Sequence, residues 1–135
     1  MKNTNAIGLD KAKSEKLAKK LNVLLANYSL FYQNMRGFHW NIKGDKFFEL
    51  HVKFEELYND LFLKVDEVAE RILTLGAVPE HNYSQYNKMS AITESAKVTD
   101  GNRAVEQILS SFKTVISLQR EILDLAADAG DEGTN

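Results

Sequence analysis

Apolar residues recur at steps of three and four along most of this chain. In a first stretch, roughly 10–43, they fall at Leu17, Leu21, Leu24, Leu25, Tyr28, Phe31, Tyr32 and Met35, the spacing of an amphipathic helix. Asp10 or Ser14 is placed to cap its start, and Gly44-Asp45 reads as a break followed by the N-cap of the next helix. A second stripe runs through Phe47, Leu50, Phe54, Leu57, Leu61, Val65, Val68, Ile72 and Leu75, and predicts a helix over 46–75. Gly76 stands where a helix-ending glycine belongs, and Pro79 prevents continuation. The polar stretch 77–100 reads as a connection with a short helix at 83–90. A third long helix starts near Thr99 or Asp100 and carries Val105, Ile108, Leu109, Phe112, Val115, Ile116, Ile122, Leu123 and Ala126. It ends at Ala129-Gly130, and 131–135 read as the cap and first turn of another helix.

Helices of this size are each about 45 Å long at 1.5 Å per residue. The short turn at 44–45 makes the first two an antiparallel hairpin. Two such hairpins build a four-helix bundle, yet only three long helices are predicted. The expectation is therefore an all-α bundle whose fourth long helix is missing after Asn135, or whose apolar groove is filled by something else. Composition agrees with a single domain over 1–135, preceded by a flexible tail at 1–9. One Pro and seven Gly in 135 residues disfavour a turn-rich β protein. The 17 Lys+Arg against 19 Asp+Glu argue against both a strongly basic nucleic-acid binder and an acidic disordered chain. No run approaches the roughly 18 apolar residues of a membrane span, and the polar start lacks a signal core. The absence of Cys excludes disulfide scaffolds, thiol catalysis and thiolate metal sites, and is compatible with the cytosol.

The second helix carries more than its core stripe. On a wheel of roughly 100° per residue, His51, Glu55, Asp66 and Glu70 share one face within about 100°, together with Phe48, Phe62 and Leu73. A purely solvated face has no need of two Phe and a Leu, so this face predicts a second buried contact. His51 and Asp66 are roughly 22 Å apart along the axis and cannot hold one metal within a single helix. Their positions are mirrored, however, about a point between Asp60 and Leu61. His51 mirrors Glu70, Glu55 mirrors Asp66, and Phe48 mirrors Leu73. Two copies packed antiparallel about a two-fold axis would bring His51 and Glu55 to Asp66 and Glu70 of the partner subunit, as an isologous interface requires. His39 lies as far before the turn at Asp45 as His51 lies after it, so both stand at one height of the hairpin. Imidazole with carboxylate suits iron, manganese or zinc better than copper(I). The alternative is plain: carboxylates four residues apart are common on solvated helices, and His81 has no partners at useful spacing.

The run Phe38-His39-Trp40-Asn41-Ile42-Lys43-Gly44, with Phe47-Phe48, Leu50-His51, Phe54-Glu55-Glu56-Leu57-Tyr58, Asp66-Glu67 and Ala69-Glu70-Arg71, closely resembles the Dps miniferritins. The likeness covers essentially the whole chain. It implies a ferritin-like four-helix bundle with a short helix in the connection between its second and third long helices. It further implies dodecameric shells that oxidise ferrous iron, preferentially with hydrogen peroxide, store ferric mineral and protect DNA. By resemblance His39 and His51 match the histidine ligands, Asp66 and Glu70 match carboxylate ligands from the neighbouring subunit, and Glu55 matches a supporting acid. Zinc or another divalent ion is a possible substitute for iron. Trp40 matches a tryptophan proposed in the family as an electron donor, packing at a helix end being its other role. Asp128, Asp131 and Glu132 resemble the acidic cluster of the family's three-fold pores, Asp131 being alternatively an N-cap. The family's fourth long helix is not found, which suggests a truncated, cleaved or partly ordered product. Lys2, Lys11, Lys13, Lys16, Lys19 and Lys20 resemble the Lys-rich termini with which some members bind DNA, although Asp10 and Glu15 interrupt them. A nucleoid-compacting protein, and a helical module that merely dimerises, are the competing readings.

Overall fold

The computed structural model describes residues 3–135. Its helices are α1 (Lys11–Asn41), α2 (Phe47–Thr74), α3 (Tyr83–Met89) and α4 (Gly101–Ala129). The bundle is all-α, as expected. The helix count corrects one expectation: four helices are present among the described residues, and the short α3 is the fourth. The N-terminal residues correct another. Asn5 accepts from the backbone of Ile7 and Leu9 and donates to Ser14, and the Lys11 amide bonds to the Asn3 carbonyl at 2.7 Å. Residues 3–9 are thus a folded turn rather than a free tail, while residues 1 and 2, including Lys2, lie outside the described residues.

Helix ends follow the local chemistry. The Asp10 carboxylate caps α1 by accepting from the Lys13 amide at 2.9 Å, and Asp100 caps α4 through Arg103 at 3.2 Å. Asp45 does not cap α2. That helix starts after Lys46 without a side-chain cap, its first amide reaching back to Gly44, whose φ of 116° turns the hairpin. Gly130 ends α4 in the left-handed conformation at φ 69°.

α1 is the central element, packed by α2, α4 and α3, and its buried residues spread around nearly its whole circumference. Lys13 pairs with Asp128, Lys20 with Glu121, and Phe31 packs edge-on against Phe112. This order makes α4 antiparallel to α1 and hence parallel to α2. Parallel neighbours need a crossover, and residues 75–100 provide it by running back along α1. Three asparagines of α1 hold that crossover. Asn22 bonds the backbone of Val78 and Glu80, and Asn34 bonds Thr93 and Ser95. Asn27, fully buried, accepts from the Ser90 hydroxyl and from the amides of Ala91 and Ile92 at 3.0, 3.0 and 3.1 Å. Buried main-chain groups of an irregular segment thereby keep their partners. On the opposite side α4 leaves Leu109, Ile116 and Leu123 exposed, and Ile116 borders a groove toward α2 that Tyr28, Phe31 and Leu57 also line.

Asn27→Leu keeps the volume but removes the acceptor shared by two amides and a hydroxyl, leaving Ser90 and Ile92 only their bonds to each other. It is expected to lower unfolding free energy by about 2 kcal/mol, read from denaturant midpoints, within the range for losing hydrogen bonds to a buried acceptor.

Candidate metal centre

The turn end of the α1–α2 hairpin sets two imidazoles against each other. His39 lies in the last turn of α1, where carbonyls have no helical partner. Its carbonyl accepts from His51 Nδ1 at 2.7 Å, while His39 Nδ1 donates to the His51 carbonyl at 2.6 Å. A carbonyl only accepts, so both rings carry their proton on Nδ1. In the neutral rings Nε2 therefore carries the lone pair, the tautomer a metal requires. The rings are stacked at 3.7 Å between centroids, and Phe47 stacks on the outer face of His51 at 4.8 Å. Glu55, one turn beyond His51, brings a carboxylate oxygen to 3.7 Å from His39 Nε2. The ligand atoms of His39, His51 and Glu55 all lie within 4.8 Å of one another. His39 is buried, His51 half-buried and Glu55 exposed, so the cluster opens outward from α2.

Asp66 and Glu70 lie on the same helix but are not brought to this cluster within one chain. They are exposed and adjacent to each other, and the Asp66 charge, then its hydrogen bond, raises the Glu70 pKa above the ordinary carboxylate value. Two like charges at one spot favour a shared proton or a cation. On the same side of α2, Phe48 is 79% exposed, and Phe62 and Leu73 are also well exposed.

Trp40 follows His39 in sequence but turns away from it: 55% exposed, its ring lies under the Arg36 guanidinium at 4.7 Å. Arg36 also covers Tyr32 at 5.3 Å. Sequence reasoning passed over Tyr58, whose ring meets His39 edge-on at 5.3 Å and Tyr32 at 6.0 Å. Its position one turn after Glu55 was the available signal. Of the acidic pore candidates, Asp128 and Glu132 are exposed. Asp131 is buried, ion-paired with Arg71 and bonded by Thr134. It is not an open pore carboxylate in this chain, and a single turn follows it at 132–134. A side chain at Gly133 would strike the same guanidinium, so the clasp needs glycine there.

A profile of the ferritin-like domain matches residues 18–135, and the chain is a ferritin-like protein. A Haemophilus influenzae protein of uncharacterised role is 56% identical over 96% of this chain and 81% of its own length. The DNA protection during starvation protein of Porphyromonas gingivalis is 39% identical over 94% of this chain and 80% of its own. The crystal structure of the Dps protein of Vibrio cholerae O1, described as a member of the ferritin-like diiron-carboxylate superfamily, superposes with a TM-score of 0.96. It is 54% identical and covers 99% of this chain and 84% of its own. The chain belongs to the Dps family.

Two outcomes are expected. In the metal-free protein, Asp66→Asn removes the neighbouring charge, and the Glu70 pKa followed by carboxyl NMR falls toward its ordinary value. Asp131→Ala strands Arg71 and costs about 3 kcal/mol in thermal unfolding, whereas Asp128→Ala and Glu132→Ala, at exposed positions, change stability by less than about 0.5 kcal/mol.

Proposed function

We propose that this protein oxidises ferrous iron, with hydrogen peroxide as preferred oxidant, and stores the ferric product as mineral inside a dodecameric shell in the cytoplasm, sparing DNA from oxidative damage. The observation that carries this reading is the imidazole pair, preset with both Nε2 atoms free beside Glu55 on an outward-facing, apolar-flanked stretch of α2. Three donors leave a centre incomplete. An antiparallel two-fold pairing of α2 would supply Asp66 and Glu70 of the partner subunit and would cover Phe48, Phe62 and Leu73. Imidazole and carboxylate favour the ferric state and leave positions open for peroxide. Two ferrous ions then give one electron each to one peroxide, yielding two ferric ions and two hydroxides without hydroxyl radical. Zinc or another divalent ion would occupy the same donors without redox chemistry.

Asp128 and Glu132 would draw cations toward pores of the shell, Asp131 being neutralised by Arg71. The relatives' DNA protection needs no strong DNA contact under this reading. Lys13 and Lys20 are engaged by Asp128 and Glu121, so any salt-sensitive DNA contact falls to Lys11, Lys16 and Lys19.

The deciding experiment replaces His39, His51, Asp66 and Glu70 together with alanine. Peroxide-dependent ferrous oxidation is expected to fall to the protein-free rate. Retention of the unsubstituted rate would reject the assignment.

A further inference from the structure

The face that α4 turns toward the end of the crossover is polar, where a bundle helix ordinarily buries apolar residues. Arg103, Gln107, Ser110, Ser111 and Thr114 share that face within about 100° of one another and span about 16 Å of the helix axis. They line one side of a cavity of about 410 Å³, whose other walls are crossover residues 91–96 with Val98 and, from α1, Asn34 and Phe38. That volume lies in the range of small-molecule sites. We propose that the cavity binds a small polyhydroxylated monocarboxylate, a sugar acid in chemical class.

The donors match this class. Among the described residues the Arg103 guanidinium has no ion pair or hydrogen bond, and only its backbone amide is engaged, by Asp100. A planar fork of this kind takes a carboxylate through two parallel bonds. Further along α4, the hydroxyls of Ser110 and Ser111 have no protein partner among the described residues, and Thr114 donates only to the Ser110 carbonyl at 3.3 Å. A hydroxyl both donates and accepts, so this row suits ligand hydroxyls rather than a second charge. Glu94 lines the same cavity. Its carboxylate accepts from a ligand hydroxyl and repels a second anionic group, which favours a monoanion over a phosphate dianion.

The walls are held in place. Buried Asn34 donates to the Thr93 carbonyl and accepts from the Ser95 amide, both at 2.9 Å, and the Ser95 hydroxyl donates to Gln107, tying the crossover to α4. Lys97 has a φ of 54°, left-handed backbone that a side chain rarely adopts, and Val98 after it is buried. Such a conformation persists where its surroundings over-determine it. Phe38, Ile92 and Val98, all buried, give the cavity an apolar floor for a carbon chain.

The test titrates gluconate into the metal-free full protein and follows the heat of binding, with acetate, sorbitol and glucose 6-phosphate as comparison solutes. Gluconate is expected to bind once per chain. Acetate, which has the charge without the hydroxyls, and sorbitol, which has the hydroxyls without the charge, should bind about tenfold more weakly or less. Arg103→Gln should weaken gluconate about tenfold, and Ser110→Ala with Ser111→Ala about fivefold. Glu94→Gln should keep gluconate and strengthen glucose 6-phosphate. Arg103, Ser110 and Glu94 are exposed, so thermal unfolding of the variants is expected to match the unsubstituted protein. Equal affinity for acetate and gluconate, undiminished gluconate binding in Arg103→Gln, or no gluconate binding at all overturns the proposal. Iron enters none of these measurements, so the ferroxidase reading stands or falls separately.

Discussion

The reciprocal exchange between His39 and His51, each imidazole bonding the other's main-chain carbonyl, is the constraint on which the rest depends. It sets the sliding register of α1 against α2. A shift of one residue along either helix would rotate a ring by about 100° and break both bonds at once. The same register lays Tyr32 against Tyr58 and Phe38 against Phe54. The bonds also bear on chemistry, because they assign a ring proton to each Nδ1 and so leave Nε2 as the bare nitrogen of the neutral ring. One device thus sets helix register and ligand state together.

α1 could not hold that register without support on its other sides. It is wrapped by α2, α4 and the crossover, and it carries asparagines where a bundle helix would ordinarily carry leucine. Asn27 is fully buried and satisfies three donors of the crossover. Unfavourable as a lone buried amide is, here it replaces the water that an irregular segment would otherwise need. The Arg71–Asp131 clasp does similar work at the far end, anchoring the residues after α4 beside Glu70.

Much of the fold was legible because helix periodicity and glycine punctuation are local signals. The stripes of α1, α2 and α4 lay close to their observed bounds, and equal distances from the turn at 44–45 placed His39 and His51 at one height. What escaped was side chain to backbone bonding over long separations. Nothing in spacing distinguishes Asn27 from a solvated asparagine, nor Asp131, which pairs with a residue 60 positions away, from an exposed carboxylate. Asp45 was misread for a related reason: an acidic residue after glycine is a capping signal only when the helix starts there, and α2 starts later. Tyr58 was hidden inside a motif whose charged members drew the attention, and adjacency to His39 conceals that Trp40 packs against Arg36.

The order of sequence separations bears on how the molecule comes together. The imidazole pair closes a segment of only 12 residues, whereas the asparagine clamps join residues 56 to 65 apart. Short closures cost less chain entropy and form sooner. The hairpin alone contains His39, His51 and Glu55, so this donor cluster can assemble without α4 and without the crossover. The donor cluster is in this way the earliest piece of tertiary structure open to the folding chain.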